Sequence, residues 1–504
     1  MDRIHELTRG HAADALAIID HDGARYTFGD VERMADSMAD TLTSAGVGAG
    51  DRVMIVSENS ATYGIALLAA SRLGAWSMPI NARMSADELD ALRRHAGARF
   101  ALFTPEASPP ARAHATRMEA TSRGTLDCGD ILLAGPLPGP DTAPEPAAAT
   151  ARDDIAALIY TTGTTSAPKG VMLSHGNLIW NAEISARLRH MAPGDIVVGV
   201  LPGTHIFGFA SVFLASLAGG SAIRFLPRFS APAVLDAFAE GGSVMPAVPQ
   251  MYQAILAELA RRGTPPDAPK LRYISSGGAP LDPEWKEKIE ATFGIPLQNG
   301  YGLTETSPGV SGTRLDDPRD DVSVGQILDD VDCLIDEPDA TGVGELLIRG
   351  PNIMQGYYRN AEATAQAIRP DGYFRSGDLA KIDPDGTLWI MGRKKELIIR
   401  SGFNIYPPEV EAMLTRHPGV YQTAVIGRRV PGNEEVLAFV TAKPDVTEEA
   451  LKAFLLAHLV PYKVPQHIFI IDQFPAAATG KILKHKLTDA FAHLLDARDA
   501  VTTT

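Results

Sequence analysis

The stretch from Leu158 to Gly170, LIYTTGTTSAPKG, joins an apolar run to small hydroxyl residues, glycine and one lysine. The backbone amides and hydroxyls of such a loop can surround phosphate oxygens, because no bulky side chain blocks their approach. Lys169 adds a cation. A Walker loop differs, because its Gly-Lys-Ser/Thr ending opens a helix, whereas Lys169 precedes Gly170 and the apolar VMLSH. The pattern predicts a phosphate-binding loop and disfavours a P-loop NTPase; an ordinary polar turn is the alternative.

This loop, from Tyr160 to Gly170, resembles the signature loop of the adenylate-forming superfamily. That superfamily includes acyl- and aryl-CoA synthetases, peptide-synthetase adenylation domains and firefly luciferase. Its further motifs are matched here, in order and over nearly the whole chain, by SSGGAPL, NGYGLTET, DGYFRSGDLAKID, GRKKELI, RSGFNIYPPEVE and PAAATGKILKHKL. The resemblance implies an ATP-dependent carboxylic acid:CoA ligase that forms an acyl-adenylate and then a thioester, with a fatty or aromatic monocarboxylic acid as substrate.

The resemblance also implies how the nucleotide is bound. Tyr301 is expected to pack on adenine and Thr304 to bond a phosphate, while Asp378 and Arg393 hold the ribose. A carboxylate accepts hydroxyl hydrogen bonds strongly, although an aspartate after glycine is often only a turn residue. The full set expected to bind ATP or AMP is Thr161, Thr162, Gly163, Thr164, Thr165, Lys169, Gly277, Gly278, Ala279, Asn299, Tyr301, Thr304, Asp378, Arg393 and Lys481.

Four residues are implied to be catalytic: Thr304, Glu305, His205 and Lys481. Glu305 is the expected metal ligand, and Mg²⁺ does prefer hard carboxylate oxygens shared with substrate phosphates. Lys481 would bring a positive charge to the carboxylate and the α-phosphate, which stabilises the charge that develops during adenylation. In isolation, Glu305 and Lys481 would be interpreted as a solvated loop acid and a solvated tail lysine.

Two further segments match the parts of the family that serve the second half-reaction. Lys395 falls on the hinge about which the small domain rotates, and such rotations are absorbed by a few residues at element ends. Ser401, Gly402 and Phe403 match the loop that lines the tunnel for the pantetheine arm of coenzyme A. The alternative for this loop is a plain β-turn before a helix that begins at Pro407 or Pro408.

The segment LPGTHIFGFASVFLASLAGG corresponds to the part of the family that borders the acid. His205 could orient the carboxylate, although a histidine at a helix start often has only a packing role. The expected pocket comprises His205, Phe207, Phe209, Val248, Met251 and Tyr252, any of which could instead belong to the core. Malonate-activating relatives tend to carry an arginine soon after the matching tyrosine, and Gln253 and Ala254 stand here. This difference favours a monocarboxylic acid.

The elements that must position these residues alternate between strands and helices. RVMIVSEN, FALFTP, AALIYTTG and LRYISSGG are short apolar runs typical of buried strands, and YGIALLAASRLGAW and APAVLDAFAEGG are typical of helices. The segment 371–383 is expected to end a strand with Ser376, Gly377 and Asp378. The fold class is therefore α/β, with layered sheets and helices.

Two composition changes divide the chain. Residues 134–154 are rich in Pro and Ala and are expected to form an exposed connection. After Lys395, strand-like TAVIG and AFVTA and helix-like EEALKAFLLAHL form a compact unit. We therefore expect an N-terminal adenylation domain over 1–394 and a small, mobile α+β domain over 395–504.

Composition narrows the function classes. The 504 residues exceed what one core usually serves, and the net charge of -15 disfavours nucleic-acid binding. Two cysteines lack a metal-ligand spacing. No transmembrane run or signal peptide is evident, so a cytoplasmic protein is expected, with a homodimer as one option for its assembly.

ATP, Mg²⁺ and coenzyme A are the small molecules that a CoA ligase of this kind is expected to bind. Two alternative functions stay open: a stand-alone adenylation enzyme that loads a carrier protein, and a non-catalytic protein that binds a nucleotide or an acyl-adenylate.

Overall fold

The computed structural model describes residues 1–139, 141–161, 169–401, 403–430, 433–475 and 482–495. Within these ranges the strands are β1 (Leu16–Ile19), β2 (Arg25–Thr27), β3 (Arg52–Ser57), β4 (Trp76–Asn81), β5 (Phe100–Phe103), β6 (Thr121–Leu126), β7 (Gly129–Ala134), β8 (Ile155–Thr161), β9 (Lys169–Ser174), β10 (Ile196–Gly199), β11 (Ala222–Phe225), β12 (Val244–Ala247), β13 (Tyr273–Ser276), β14 (Leu297–Gly302), β15 (Gly309–Gly312), β16 (Gln326–Ile327), β17 (Asp332–Asp336), β18 (Gly344–Arg349), β19 (Gly356–Tyr357), β20 (Phe374–Ile382), β21 (Leu388–Arg393), β22 (Ile398–Arg400), β23 (Phe403–Ile405), β24 (Val420–Val430), β25 (Asn433–Ala442) and β26 (His467–Ile470).

The α-helices within the same ranges are α1 (Phe28–Ser44), α2 (Ala61–Leu73), α3 (Ala86–Ala96), α4 (Pro109–Arg117), α5 (His175–Leu188), α6 (Ala215–Ala218), α7 (Ala231–Ala239), α8 (Pro249–Arg262), α9 (Pro283–Phe293), α10 (Ala361–Ala367), α11 (Pro407–Thr415), α12 (Glu448–His458) and α13 (Leu487–Ala490). A π-helix, Phe207–Leu214, precedes α6. No helix among the described residues combines the length and the apolar character that a membrane crossing requires.

Two large sheets form the N-terminal part of the described chain. The first has the order β19-β9-β8-β4-β3-β5-β7-β6, and the second has the order β16-β15-β14-β13-β12-β10-β11-β1-β2. Strand β3 runs parallel to β4 and β5, and β13 runs parallel to β12 and β14. Such strands are covered on both faces, which explains their unbroken apolar sequences. The predicted α/β class is confirmed.

The local sequence explains where these elements begin and end. Helix α2 coincides with the predicted YGIALLAASRLGAW segment. The side chain of Ser60 accepts a hydrogen bond from the backbone N–H of Tyr63 and thereby caps its first turn. The helix ends at Gly74, whose φ of 68° is left-handed and costs little for glycine. The predicted strand segments likewise correspond to β3, β5, β8 and β13.

The Pro- and Ala-rich connection crosses the surface as expected, but it is fastened to the domain beneath it. Arg52 is 1% exposed, and its guanidinium donates to the carbonyls of Ala143 at 2.6 Å and Asp141 at 2.8 Å. The same side chain donates to Ala96 at 2.9 Å. Because a buried guanidinium needs acceptors for its donors, the connection and Arg52 stabilise one another.

A third sheet, in the order β17-β18-β20-β21, precedes a smaller C-terminal unit. In that unit β24, β25 and β26 form a sheet whose buried residues pack with those of α11 and α12. The large and small parts of the fold are therefore both present. The division at residue 395 itself stays a prediction.

Candidate active site

The predicted phosphate loop connects two antiparallel strands. Thr161 ends β8 and pairs with Lys169, the first residue of β9. This hairpin differs from the strand-to-helix geometry of a Walker loop, as the sequence indicated. Thr162, Gly163, Thr164 and Thr165 lie outside the described residues. The hairpin nevertheless fixes both ends of the loop.

Lys169 and Glu305 meet at one aromatic ring. The Nζ atom of Lys169 lies 4.6 Å from the ring centroid of Tyr357. The hydroxyl of Tyr357 donates a hydrogen bond of 2.9 Å to Oε1 of Glu305. Burial, followed by the negative charge of Glu305, raises the pKa of Tyr357, so the hydroxyl stays protonated and able to donate. Sequence reasoning missed Tyr357, whose position after Gly356 carried no functional signal.

Glu305 lies in a 3-10 turn, Thr304–Thr306, that directly follows β14. The backbone N–H of Met354 donates to the carbonyl of Glu305 at 2.9 Å, which holds this turn against the segment that leads to β19. Among the described residues, Tyr357 is the side chain that hydrogen-bonds the Glu305 carboxylate. Mg²⁺ is bound through one or two carboxylates and substrate phosphates, so the half-buried Glu305 fits the role of its protein ligand.

Asp378 is the centre of a second cluster. Its Oδ1 atom lies 2.7 Å from Nε of Arg393, and its Oδ2 atom accepts a hydrogen bond from the hydroxyl of Tyr301. Only 2% of Asp378 is exposed. Burial and the neighbouring carboxylate raise the pKa of Tyr301 well above its usual value, which keeps it a donor. Tyr301 and Arg393 are thus two of the partners of the Asp378 carboxylate, and its expected hydrogen bonds with the ribose hydroxyls stay a prediction.

The local strand geometry at Asp378 corrects one expectation. Ser376, Gly377 and Asp378 were expected to end a strand, but β20 continues to Ile382. Gly377 has a φ of 70°, and the pairing with β21 is irregular after Asp378. Because only glycine adopts that backbone easily, the strand bends without ending. Asp378 still pairs with Arg393 across β20 and β21.

The predicted adenine-side loop, Gly277–Ala279, directly follows β13. A Cβ atom on Gly277 would lie 3.1 Å from Cε1 of Phe207 and 3.5 Å from the carbonyl oxygen of Gly300. Gly278 has a φ of 74°, which favours glycine. The glycine pair thus permits a close approach between the end of β13, the start of the π-helix and β14.

Asn299 has a structural role that the sequence did not reveal. Its Nδ2 atom donates to the carbonyls of Val322 at 3.1 Å and Ser323 at 3.0 Å. Its Oδ1 atom accepts from the backbone N–H of Gly300 at 3.1 Å. Since these bonds use both ends of its amide, Asn299 anchors β14, and its expected contact with the nucleotide stays a prediction.

The acid-pocket candidates separate into two groups. His205 is exposed, and Phe207, Val248 and Met251 are half-buried. Nδ1 of His205 accepts from the backbone N–H of Phe207 at 3.3 Å, which places the imidazole at the start of the π-helix. Such helices are frequent at functional sites.

Phe209 and Tyr252, in contrast, are 0% exposed and belong to the hydrophobic core. The hydroxyl of Tyr252 lies 2.9 Å from the carbonyl oxygen of Met245 and 3.0 Å from that of Ser275, so it ties α8 to β12 and β13. Both side chains are thus buried in the core, and their expected contact with the acid stays a prediction. Apolar sequence alone did not distinguish pocket from core.

The proposed hinge lies in a 3-10 turn, Lys394–Glu396. Lys395 is exposed, and Nζ of Lys394 lies 2.8 Å from Glu345 on β18. Glu396 forms an ion pair of 2.9 Å with Lys484 in the C-terminal tail. Lys481 lies outside the described residues.

The expected coenzyme A loop is only partly described. The backbone N–H of Ser401 donates to Oδ1 of Asn433 at 2.7 Å, and Gly402 lies outside the described residues. Phe403 is exposed, and its ring stacks on Tyr462 with a centroid distance of 4.4 Å and an interplanar angle of 18°. Tyr462 was not predicted from the sequence.

Comparisons with known proteins identify the family of this chain. Residues 6–358 match the family model described as AMP-binding enzyme, and residues 409–481 match that of the AMP-binding enzyme C-terminal domain. Feruloyl-CoA synthase of Amycolatopsis sp is 35% identical over 96% of this chain and 98% of its own length. 4-Coumarate–CoA ligase 2 of Oryza sativa subsp. japonica is 32% identical over 92% of this chain and 87% of its own.

A solved structure shows the same architecture. It is that of o-succinylbenzoate coenzyme A synthetase from Bacillus subtilis in complex with ATP and a magnesium ion, which is 26% identical to this chain. It superimposes with a TM-score of 0.81 over 97% of this chain and 99% of that one. The chain therefore belongs to the AMP-binding enzyme family, among its AMP-forming acid:CoA ligases.

Proposed function

We propose that this acid:CoA ligase activates an aromatic or fatty monocarboxylic acid, and that Mg²⁺ accompanies ATP at Glu305. The observation that carries the proposal is the pair of adjacent clusters around β14. Tyr301 on β14 joins the ribose cluster of Asp378 and Arg393, and Glu305 in the following turn joins Tyr357 and Lys169. The short segment from Tyr301 to Glu305 thus links the cluster proposed to bind the ribose hydroxyls to the cluster proposed to bind the phosphates.

Each cluster contributes a different part of nucleotide binding. Asp378 accepts the ribose hydroxyls, with Arg393 holding its carboxylate in place. Lys169 and the amides between β8 and β9 bind phosphate oxygens. Mg²⁺, when bound by Glu305 and the phosphates, would neutralise phosphate charge.

The C-terminal unit would then act in both half-reactions. We assign to Lys481 the stabilisation of charge as the acid attacks the α-phosphorus and pyrophosphate leaves. A rotation about Lys395 would replace this lysine by the Ser401–Phe403 loop, so that the CoA thiol attacks the acyl carbonyl and AMP leaves. The exposed position of Lys395 in a short turn is compatible with such a rotation.

The acid pocket favours an apolar acyl group. Phe207, Val248 and Met251 are the half-buried apolar candidates, and Gly277 meets Phe207. Gln253 and Ala254 follow Tyr252 where an arginine could bind a second carboxylate. The relatives named feruloyl-CoA synthase and 4-coumarate–CoA ligase support an aromatic acid for this chain.

The test is pyrophosphate release with MgATP and a panel of aromatic acids, short-, medium- and long-chain monocarboxylic acids and dicarboxylic acids, each with and without CoA. We expect acid-dependent turnover that requires CoA and yields AMP and thioester in equal amounts. A dicarboxylic acid as the best substrate would contradict the proposed acid class. Acid-dependent pyrophosphate without thioester would instead indicate loading of a carrier protein.

A further inference from the structure

Tyr357 lies where the phosphate loop and the metal ligand come together. Its backbone pairs with Val171 of β9, two residues after Lys169. Its hydroxyl donates to Glu305, and its ring faces Nζ of Lys169. Its own N–H donates to Oγ1 of Thr364 at 2.9 Å. One rigid side chain therefore contacts the carboxylate and the ammonium that act on the same phosphates.

We propose that Tyr357 is a positioning residue that holds Glu305 and Lys169 apart and orients both toward the magnesium-bound triphosphate. The inference rests on the proposed function, which assigns Glu305 to the metal and Lys169 to phosphate. It goes beyond that function by giving Tyr357 a role in positioning the two groups that act on the nucleotide.

The physical reason begins with the opposite charges of the two residues. A lysine and a glutamate in a partly buried site attract one another, and a direct ion pair would neutralise the cation meant for phosphate and the carboxylate meant for metal. Among the described residues, neither Lys169 nor Glu305 makes an ion pair. Tyr357 offers each a separate partner, because its ring face attracts a cation and its hydroxyl donates to a carboxylate.

The hydroxyl also restricts the geometry of the metal ligand. A hydrogen bond to Oε1 of Glu305 fixes the rotation of that carboxylate and leaves Oε2 for a cation. Groups that orient a ligating carboxylate typically change metal affinity by about ten- to a hundredfold when they are removed. Since Tyr357 is 7% exposed, this hydrogen bond is shielded from water.

The matched variants are Tyr357→Phe and Tyr358→Phe. The first keeps the ring beneath Lys169 and removes the hydroxyl from Glu305. The second removes the neighbouring buried hydroxyl, which donates to Glu145 and, at 3.3 Å, to the carbonyl of Ala96. Affinity is measured by calorimetry for AMP and for Mg²⁺ with α,β-methylene-ATP, in wild type, both variants, Glu305→Gln and the double variant Tyr357→Phe with Glu305→Gln.

We expect Tyr357→Phe to bind the magnesium–nucleotide about tenfold more weakly, to bind AMP within about twofold of wild type, and to have no further effect when Glu305 is already Gln. Tyr358→Phe should bind both ligands as wild type does. Equal weakening for AMP and magnesium–nucleotide, or no weakening for either, would overturn the proposal, as would additive losses in the double variant.

Two further measurements separate the role of the Tyr357 ring from that of its hydroxyl, and the test of Tyr357 from the test of the proposed function. Tyr357→Leu, which also removes the ring, should weaken magnesium–nucleotide binding more than Tyr357→Phe does, and its thermal midpoint shows whether it folds. Wild-type turnover with the acid panel is measured in parallel. If no acid in the panel is turned over while magnesium–nucleotide binding still depends on Tyr357, the proposed function alone is rejected, since the binding result does not require an acid.

Discussion

The stability of the N-terminal segment should depend on one buried histidine. His175, the first residue of α5, is 0% exposed. Its Nδ1 atom accepts from the backbone N–H of Ile4 at 3.2 Å, and its Nε2 atom lies 3.5 Å from Nη1 of Arg3. Both ring nitrogens thus face donors; the neutral ring can accept a hydrogen bond at one of them, whereas a protonated ring can accept at neither. Burial, followed by the positive charge of Arg3, lowers the pKa of His175 from 6.5 to about 3.

The sign and size of the pH effect follow from this shift. The folded state keeps His175 neutral, so its contribution is complete above pH 6.5 and is lost as the pH falls toward about 3. At pH 5, which is 1.5 units below the ordinary pKa of 6.5, His175 is protonated in the unfolded chain and neutral in the folded one. This difference lowers the unfolding free energy by about 2 kcal/mol, at about 1.36 kcal/mol per pH unit. His5, whose pKa burial lowers to about 4, acts in the same direction.

The assay compares unfolding free energies in urea at pH 7 and pH 5 for wild type, His175→Asn and His190→Asn. Asparagine at position 175 can still accept from Ile4 through Oδ1 but does not titrate. His190 is exposed and has a φ of 49°, which asparagine also adopts, so it is the matched control. We expect His175→Asn to lose about 2 kcal/mol less than wild type between the two pH values. Equal losses in wild type and His175→Asn would refute the reasoning.

Three other substitutions have expected outcomes. Lys481→Ala should abolish acid-dependent pyrophosphate release while sparing thioester formation from supplied acyl-AMP, as measured by separate half-reaction assays; an equal loss of both would contradict the assignment. Gly277→Ala places a methyl group 3.1 Å from Phe207, so KM should rise for bulky aromatic acids and change little for short ones across the acid panel. Arg52→Met removes the guanidinium that donates to the carbonyls of Asp141 and Ala143, and it should lower the unfolding free energy by about 3 kcal/mol in urea titrations, whereas an unchanged midpoint would show that water replaces it.

The short-range features of this protein were evident in its sequence. The strands β3, β5, β8 and β13 were predictable because a buried parallel strand needs a continuous apolar run, which is a local property. The predicted phosphate loop rests on an equally local signal, because such a loop needs small residues in succession, and its binding of phosphate stays a prediction. Family membership followed from several such segments in a fixed order.

The partners of individual side chains, in contrast, were decided by the tertiary structure. Phe207 and Phe209 are both apolar and close in sequence, yet only Phe207 is partly exposed, because the π-helix turns the other into the core. Tyr357 gained its position from the pairing of β19 with β9, which joins residues far apart in the chain. Periodicity and motif spacing describe local geometry, whereas burial and contact across strands depend on which distant segments the fold brings together.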